Sequence, residues 1–318
     1  MTDPMNRTLS IILFCLMPIA AYCAEGKKLA ITIDDLPVAS ATPVSVDEKR
    51  EITEKILSAL RDRDAQAVGF VNEDKLLEDG GIDANVALLE AWLDDGMELG
   101  NHTFGHVGMH ETELSAMKAA VLKGEPISRW LSERADRPYR YFRHPFTQTG
   151  DSIEEQFAFE SFLAAHGYTV APFTIEHTDY LFSCIYDHLA AGEDPGMDRT
   201  ALVAEYMQHL GDAIDAFETM SDDLFGRPIP QIWLIHANRI NAATLSDSLE
   251  LFKSRGYEFV TLKEALEDPA YATMAGPSKR YGPSWLLRWA RSMRIRPSVF
   301  GQPDPSETVM NAFRNSCQ

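Results

Sequence analysis

The sequence predicts an α/β fold in which short strands alternate with helices around a parallel sheet or barrel. Short apolar runs of strand length recur between segments whose apolar residues lie three to four positions apart, and turn residues separate the two. The chain of 318 residues is 45% hydrophobic and 24% charged, which is the composition of a globular protein with a full core. A collagen-like or wholly disordered chain is therefore excluded.

The elements of the first half begin with a strand over residues 28–33. Ser45 and Glu48 have the spacing of a capping box and predict a helix that carries Ile52, Ile56 and Leu60 on one face. The next elements are a strand over residues 67–71, a helix capped by Asp83 and ending near Gly96, a strand over residues 97–100, and a helix around Leu114, Met117 and Val121.

The second half continues with a strand over residues 139–142 and a helix over residues 151–165, with Asp151 and Glu154 as its capping box. A strand over residues 168–175 follows. The stretch 181–230 is less regular, contains a long helix over residues 198–220, and is interpreted as an insertion. The pattern then resumes with a strand over residues 231–235, a helix over residues 245–255 and a strand over residues 257–260. The main domain is thus expected over residues 25–268.

Residues 1–24 have the pattern of a secretory signal peptide, because Arg7 precedes an apolar run over residues 9–21 and small residues follow it. The run is shorter than the roughly 20 apolar residues of a membrane-spanning helix, which leaves an uncleaved anchor as the alternative. We therefore expect an exported protein, periplasmic or secreted. Loss of the leader leaves Cys184 and Cys317, and the sequence leaves open whether they pair.

The charge distribution argues against a nucleic-acid partner. The formal net charge is −19, so a polyanion would be repelled. The C-terminal tail, residues 269–318, differs from the rest, since seven basic and two acidic residues lie between Lys279 and the end. Its apolar residues Trp285, Leu286, Trp289 and Met293 follow a helical spacing among arginines. This surface appendage is expected either to contact an anionic membrane surface or to pack on the barrel by its tryptophans.

Polar side chains that could carry chemistry follow several of the predicted strands. Functional residues of βα folds gather at this carboxyl edge of the sheet. Asp34 and Asp35 follow the first strand, but adjacent side chains point to opposite faces unless the strand breaks there, as Pro37 suggests. His102 and His106 are spaced to face one metal ion, with His110 as an alternative partner. Two imidazoles and one carboxylate would form a three-ligand site of catalytic type.

In this order, the motifs resemble those of the polysaccharide deacetylases, carbohydrate esterase family four or the NodB-homology domain. The resemblance spans about residues 28–266 and rests on five segments: Thr32-Ile33-Asp34-Asp35, His102-Thr103-Phe104-Gly105-His106, Arg143-His144-Pro145-Phe146, Asp179-Tyr180 and Leu234-Ile235-His236. It implies a distorted (β/α) barrel of about seven or eight units. It further implies a glycan substrate and a divalent metal, with zinc the expected ion, bound by Asp35, His102 and His106.

The same resemblance assigns the remaining roles. Asp34 would be the base and His236 the acid, with Asp179 supporting the protonated imidazole; Glu176 is the rival for that place. Arg143 would pair with Asp34, and the backbone N–H of Phe146 would donate to the oxyanion.

Two departures from the family pattern concern the substrate groove. Phe146 and Thr147 stand where Tyr and Gly are usual, and Tyr180 stands where Trp is usual. The expected reaction is removal of acetyl groups from N-acetylated amino sugars. The alternatives are an O-acetyl glycan esterase, a non-catalytic glycan-binding protein, and a metal-storage or metal-delivery protein.

Overall fold

A computed structural model describes residues 26–78, 80–278, 280 and 282–317 of the chain. The expected signal peptide, residues 1–24, lies outside the described residues. The strands are β1 (Lys27–Leu36), β2 (Ala67–Val71), β3 (Glu98–Asn101), β4 (Tyr141–Phe142), β5 (Thr169–Val170), β6 (Gln231–His236) and β7 (Tyr257–Phe259). The first eight helices are α1 (Val46–Arg61), α2 (Ile82–Asp94), α3 (Leu114–Lys123), α4 (Pro126–Arg134), α5 (Ile153–Ala165), α6 (Asp179–Ala190), α7 (Arg199–Phe225) and α8 (Arg239–Ser254). Three more follow, α9 (Leu262–Leu266), α10 (Trp285–Met293) and α11 (Glu307–Cys317).

The strands form one parallel, curled sheet in which β1 pairs with three other strands. The hydrogen-bonded order is β5-β4-β3-β2-β1-β6, and β7 pairs with the first residues of β1. Beyond β5, Ile175 forms a parallel bridge with Trp233 of β6, so the two ends of the sheet meet irregularly. The predicted α/β distorted barrel is therefore confirmed, with seven strands in the described part of the chain.

Several element boundaries differ from the prediction. The regular strand β5 covers only residues 169–170 of the expected 168–175. The cap of α2 is Gly81 and that of α5 is Ser152, whose hydroxyl accepts the Glu155 N–H, so both predicted caps are off by one or two positions. Neither α4 nor α6 was predicted. Helix α6 begins directly after Thr178, which has a left-handed φ of 50°. The sequence around this position contains no recognisable capping pattern.

The predicted insertion folds as α6 and α7, and it forms a second, smaller core. Asp198 caps α7 as expected, and the helix runs to Phe225. Residues of α6, α7, α8 and α11 share this core: Leu181, Phe182, Ile185, Leu202, Tyr206, Ile240, Val309 and Ala312. A disulfide between Cys184 and Cys317 joins α6 to α11. The C-terminal helix is thus attached to the insertion by both packing and a covalent bond.

The C-terminal tail is an integral layer of the fold, and the expectation of a surface appendage is wrong. Trp289 is 1% exposed and packs edge-on against Phe225 and Tyr271. Arg288 is also buried and donates a hydrogen bond to Thr149 Oγ1 at 2.7 Å. Since the apolar face of α10 is already buried in protein, the structure favours the packing alternative over membrane contact. No helix among the described residues has the length and apolar character needed to cross a bilayer.

Replacing Trp289 with Ala should lower the free energy of unfolding by about 3–5 kcal/mol, because the buried ring leaves a cavity in the contact between α10 and the main core. Urea denaturation would measure the change. Trp130→Ala is the matched control, since Trp130 is 53% exposed and its loss should cost no more than about 0.5 kcal/mol. Equal, small effects of the two substitutions would contradict the buried position of α10.

Candidate active site

A cavity of about 690 Å³ opens at the carboxyl ends of the strands. Its walls include most of the polar residues expected from the sequence: Asp34, Asp35, His102, His106, Asp179 and His236, together with Phe146. Arg143 lies beneath these residues and is fully buried. The structure therefore brings together at one site the side chains that the sequence distributes over about 200 residues.

Asp34 and Asp35 both reach this cavity because β1 breaks between them. Asp34 continues the pairing with β6 and lies opposite His236, whereas the pairing with β2 shifts register between Ile33 and Leu36. Asp35 has a φ of 68°, in the left-handed region that a regular strand never uses. Adjacent side chains of a regular strand point to opposite faces, so both carboxylates can line one cavity only if the strand breaks. This break is present at Asp34 and Asp35.

Asp35, His102 and His106 form a compact group of candidate metal ligands. Their ligand atoms all lie within 4.8 Å of one another. His102 Nε2 and His106 Nε2 lie 3.7 and 3.6 Å from Asp35 Oδ1, an oxygen that is buried and has no hydrogen-bond partner among the described residues. His110 lies apart, with Nδ1 3.3 Å from Asp151 Oδ1. The structure thus resolves the choice between the histidines in favour of His106.

The protonation of this group suits a cation. Burial lowers the pKa of both His102 and His106, so their imidazoles are neutral at pH 7. His102 Nδ1 lies 2.8 Å from the carbonyl oxygen of Arg143, which fixes the ring and leaves Nε2 toward the cavity. Burial opposes ionisation of Asp35, but Lys75 and the two histidines outweigh it and lower the pKa of this carboxyl. One carboxylate and two neutral imidazoles are a donor set typical of catalytic zinc and its neighbours.

The expected pairing of Arg143 with Asp34 is loose, and it does not depress the pKa of the acid. Arg143 Nε lies 4.0 Å from Asp34 Oδ1, while Nη2 donates to Thr32 Oγ1 at 2.7 Å. Burial raises the pKa of Asp34 to about 6, although Arg143 and His236 both act to lower it. Desolvation of Asp34 therefore outweighs the attraction of the Arg143 guanidinium.

His236 and Asp179 form a buried, charged pair. Asp179 Oδ1 lies 2.8 Å from His236 Nδ1, and Asp179 Oδ2 accepts the backbone N–H of His236 at 2.9 Å. Burial alone would lower the pKa of His236, but Asp179 raises it to about 10, while His236 in turn lowers the pKa of Asp179 to about 2. The rival acid Glu176 instead accepts hydrogen bonds from the Thr178 N–H and Gln302. Asp179 is thus the acid that holds His236 protonated.

Phe146 lies on the cavity wall in a turn with φ 52°, and its ring centroid is 4.4 Å from that of His106. Among the hydrogen bonds of the described residues, none has the Phe146 backbone N–H as its donor. The Phe146 ring is 53% exposed and that of Tyr180 56%, and both line the cavity. The departures from the expected motifs at these two positions therefore place exposed aromatic rings on the cavity wall.

Three further features of the site come from residues to which the sequence assigned no role. Lys75 Nζ lies 3.7 Å from Asp35 Oδ1, on a short 3-10 helix (Glu73–Leu77) that carries no motif. His144 is buried against the cavity, and neither of its ring nitrogens has a partner among the described residues. Helix α6 contributes a wall that includes Ser183, Cys184 and Asp187. The apolar periodicity of α6 was the only sequence signal for this wall. The interpretation of residues 181–230 as an insertion obscured it.

The first half of the chain resembles a known protein family. Residues 21–171 match the sequence model described as polysaccharide deacetylase. No curated protein sequence matches the chain significantly. Among solved structures, the peptidoglycan deacetylase PdaC from Bacillus subtilis is 18% identical with a TM-score of 0.49, covering 77% of this chain and 92% of its own.

Two further solved structures resemble the chain to a similar degree. A CE4 family pseudoenzyme from Bacillus anthracis is 16% identical, with a TM-score of 0.49 and coverage of 77% of this chain and 66% of its own. A family 4 carbohydrate esterase from Streptomyces lividans, solved with acetate, is 16% identical, with a TM-score of 0.46 and coverage of 80% and 98%.

The charged pair makes a prediction about proton binding. In chelator-treated protein, the His236 imidazole should remain protonated up to a pH near 10. Asp179→Asn removes the main group that raises this pKa, so the His236 pKa should fall toward the ordinary value of about 6.5. NMR titration of ¹³C-labelled histidine would follow the ring, with His236→Gln used to assign its signal. A wild-type His236 that titrates near pH 6.5 would contradict the pairing.

Proposed function

We propose that the protein is a metal-dependent hydrolase that removes acetyl groups from N-acetylated amino sugars in an oligosaccharide or polysaccharide. The match of residues 21–171 to the polysaccharide deacetylase model supports the proposal. The observation that carries the proposal is the grouping of Asp35, His102 and His106 beside Asp34 and His236 in one cavity. A ligand triad beside a separate acid and a separate base is what hydrolysis of an amide requires.

The metal is proposed to be held by Asp35, His102 and His106, with Zn²⁺ favoured by the donor set. A divalent cation bound there would supply Lewis acidity toward an acetyl carbonyl and would lower the pKa of the attacking water toward neutrality. Lys75 adds a fixed positive charge next to Asp35, which reduces the net negative charge of the ligand group.

Asp34 is proposed as the base that takes a proton from the attacking water. Its pKa of about 6 lies just below neutral pH, so the carboxyl is mostly ionised there and still basic enough to accept a proton. Arg143 lies behind Asp34 with its guanidinium buried, and it limits the rise in the pKa that burial causes. The backbone N–H of Phe146 is proposed as a donor to the oxyanion that forms from the acetyl carbonyl.

His236 is proposed as the acid that protonates the leaving amine. As the C–N bond breaks, the nitrogen takes a proton from the imidazolium, and the acetyl group leaves as acetate. Asp179 keeps His236 charged until that step. An amine is a poor leaving group without a proton, so a firmly protonated histidine is particularly suited to an amide.

The alternatives use parts of the same site. An O-acetyl esterase would need the same metal and base, but an alkoxide leaves more readily than an amide nitrogen, so the charged His236–Asp179 pair favours the amide. A glycan-binding protein or a metal-storage protein would need neither Asp34 as a base nor His236 as an acid. Acetate release from N-acetylated chitooligosaccharides, compared with that from O-acetylated xylan, would distinguish these functions; release from neither would contradict the proposal.

Variants of adjacent carboxylates should separate metal binding from proton transfer. Asp35→Asn, His102→Ala and His106→Ala should each lose metal and activity together, because each removes one of three ligands. Asp34→Asn should keep the metal and the fold but lower kcat by about 10²-fold or more, since only the proton acceptor is lost. His236→Ala should behave like Asp34→Asn. Elemental analysis and acetate-release rates on the same preparations would measure both properties.

Asp34→Asn is the matched control for Asp35→Asn, since both replace a carboxylate with an amide at neighbouring positions of one strand. Near-normal turnover in Asp34→Asn would contradict its role as the base. Full metal content in both His102→Ala and His106→Ala would contradict the ligand assignment.

We also propose that the protein is exported to the periplasm or the medium. The disulfide between Cys184 and Cys317 supports this, because such bonds persist in oxidising compartments. N-terminal sequencing of protein from those fractions should start between residues 22 and 25, whereas an intact Met1 on cytoplasmic protein would contradict export.

A further inference from the structure

The cavity is bounded by a ring of segments, and the contacts between neighbouring segments determine which substrates can enter. An enzyme that acts within a long polysaccharide needs a groove from which the chain leaves in two directions. The segments around this cavity are the loops after β1 to β6, helix α6 and the C-terminal segment that precedes α10.

Helix α6 is joined to the loop after β1 through Asp187. This carboxylate accepts hydrogen bonds from Ser40 Oγ at 3.0 Å and from the Ala41 N–H at 2.7 Å. Arg239 Nη1 donates to both Asp187 Oδ1 at 2.8 Å and Ser40 Oγ at 2.6 Å. Ser40, Ala41 and Asp187 all line the cavity, so this side of the rim is closed at the cavity wall.

The loops after β1, β2 and β3 are joined in the same way. Lys75 Nζ, in the loop after β2, donates to the Val38 carbonyl oxygen at 3.3 Å, in the loop after β1. Asp74 accepts the Gly105 N–H at 2.7 Å, which connects the loop after β2 to the loop that carries His106. No space for a sugar chain separates these three segments along the rim.

The loop after β4 is tied on both of its sides. Gln148 Oε1 accepts the His110 N–H at 2.8 Å, and Gln148 Nε2 donates to the Arg280 carbonyl oxygen at 2.9 Å. Thr147 Oγ1 donates to the Gly282 carbonyl oxygen at 2.7 Å, and a Cβ on Gly282 would lie 2.0 Å from that hydroxyl. The C-terminal segment thus lies directly against the loop that holds Phe146.

The same C-terminal segment completes the ring at the loop after β5. Ser284 Oγ donates to the Thr174 carbonyl oxygen at 2.7 Å. Gln302, which lies between α10 and α11, adds a hydrogen bond to Glu176 in the same loop. Three residues later the chain enters α6 at Asp179, from which the ring began. Within the described residues, each rim segment is therefore bonded or covalently linked to its neighbours on both sides.

From this closed rim we propose that the site accepts a terminal sugar residue, of a free oligosaccharide or of a chain end, and excludes the interior of a long polysaccharide. The inference rests on the proposed deacetylase function and specifies its substrate class. The cavity of about 690 Å³ has the size of a site that encloses a small ligand. Three of the contacts that close the rim involve α6 or the C-terminal segment, which lie outside the 21–171 match to the family model.

The test is the position of the acetyl groups that are removed. Metal-loaded wild-type protein is given N-acetylated chitooligosaccharides of two to six sugars, and glycol chitin as the polymer, and mass spectrometry locates each free amine. We expect loss from a terminal residue at least about 10-fold faster than from internal residues, the scale on which one steric contact discriminates between substrates. The value of kcat/KM per chain should stay nearly constant with length, and the polymer should release acetate only from its ends.

Two variants at Asp187 test one of the contacts that close the rim. Asp187→Ala removes the acceptor that joins Ser40 and Ala41 to α6, so internal removal should rise relative to terminal removal. Asp187→Asn is the matched control because its side-chain oxygen can still accept these bonds, and its product pattern should resemble the wild type. Thermal denaturation of both variants checks that they fold.

The possible outcomes separate the two proposals. Equal removal from internal and terminal residues by the wild type would overturn the closed-rim inference and leave the deacetylase function standing. Acetate release from none of the N-acetylated or O-acetylated substrates would overturn the function itself. A strong terminal preference in the wild type supports the inference even where Asp187→Ala fails to fold.

Discussion

The break in β1 between Ile33 and Leu36 is the constraint on which the site depends. A strand that kept its alternation would send one of Asp34 and Asp35 to the far face of the sheet, where it could serve no shared site. The break shifts the pairing of β1 with β2 but leaves its pairing with β6 intact. Asp34 therefore keeps its register with His236, while Asp35 turns toward His102 and His106. One local departure from strand geometry thus gives two chemically identical side chains different neighbours.

Those neighbours explain why the two carboxyls differ in protonation. Both are buried, and burial raises the pKa of each. Lys75 and the histidines overcome this effect at Asp35, whereas at Asp34 burial outweighs the attraction of Arg143 and His236. A carboxylate that stays ionised, as at Asp35, suits a metal ligand, and one that titrates near neutrality, as at Asp34, suits proton transfer. The different surroundings of the two residues thus support different proposed roles.

The sequence could predict the parts of this arrangement that depend on local order. Strand ends, the spacing of His102 and His106, and the family motifs identified the main residues, because each is encoded within a few positions of the chain. The sequence could not predict contacts between distant segments. Lys75 approaches Asp35 from a loop without a motif, and the preference for His106 over His110 depends on where Asp151 lies. The tail was misjudged because its arginines suggested solvent, whereas Arg288 is buried beside Thr149.

The tail and the insertion also change what the shared fold can do. The candidate metal ligands lie at the end of β1 and in the loop after β3, within the 21–171 match. The proposed protonation of His236 depends instead on Asp179, at the start of α6. The second core and the disulfide hold α6 against α11, and the C-terminal segment reaches back to the loop of Phe146. Movement of α6 would therefore alter both the protonation of His236 and the closure at Asp187. In the proposed function, the protonation of His236 and the access of substrate would both depend on α6, which the C-terminal helix α11 holds in place.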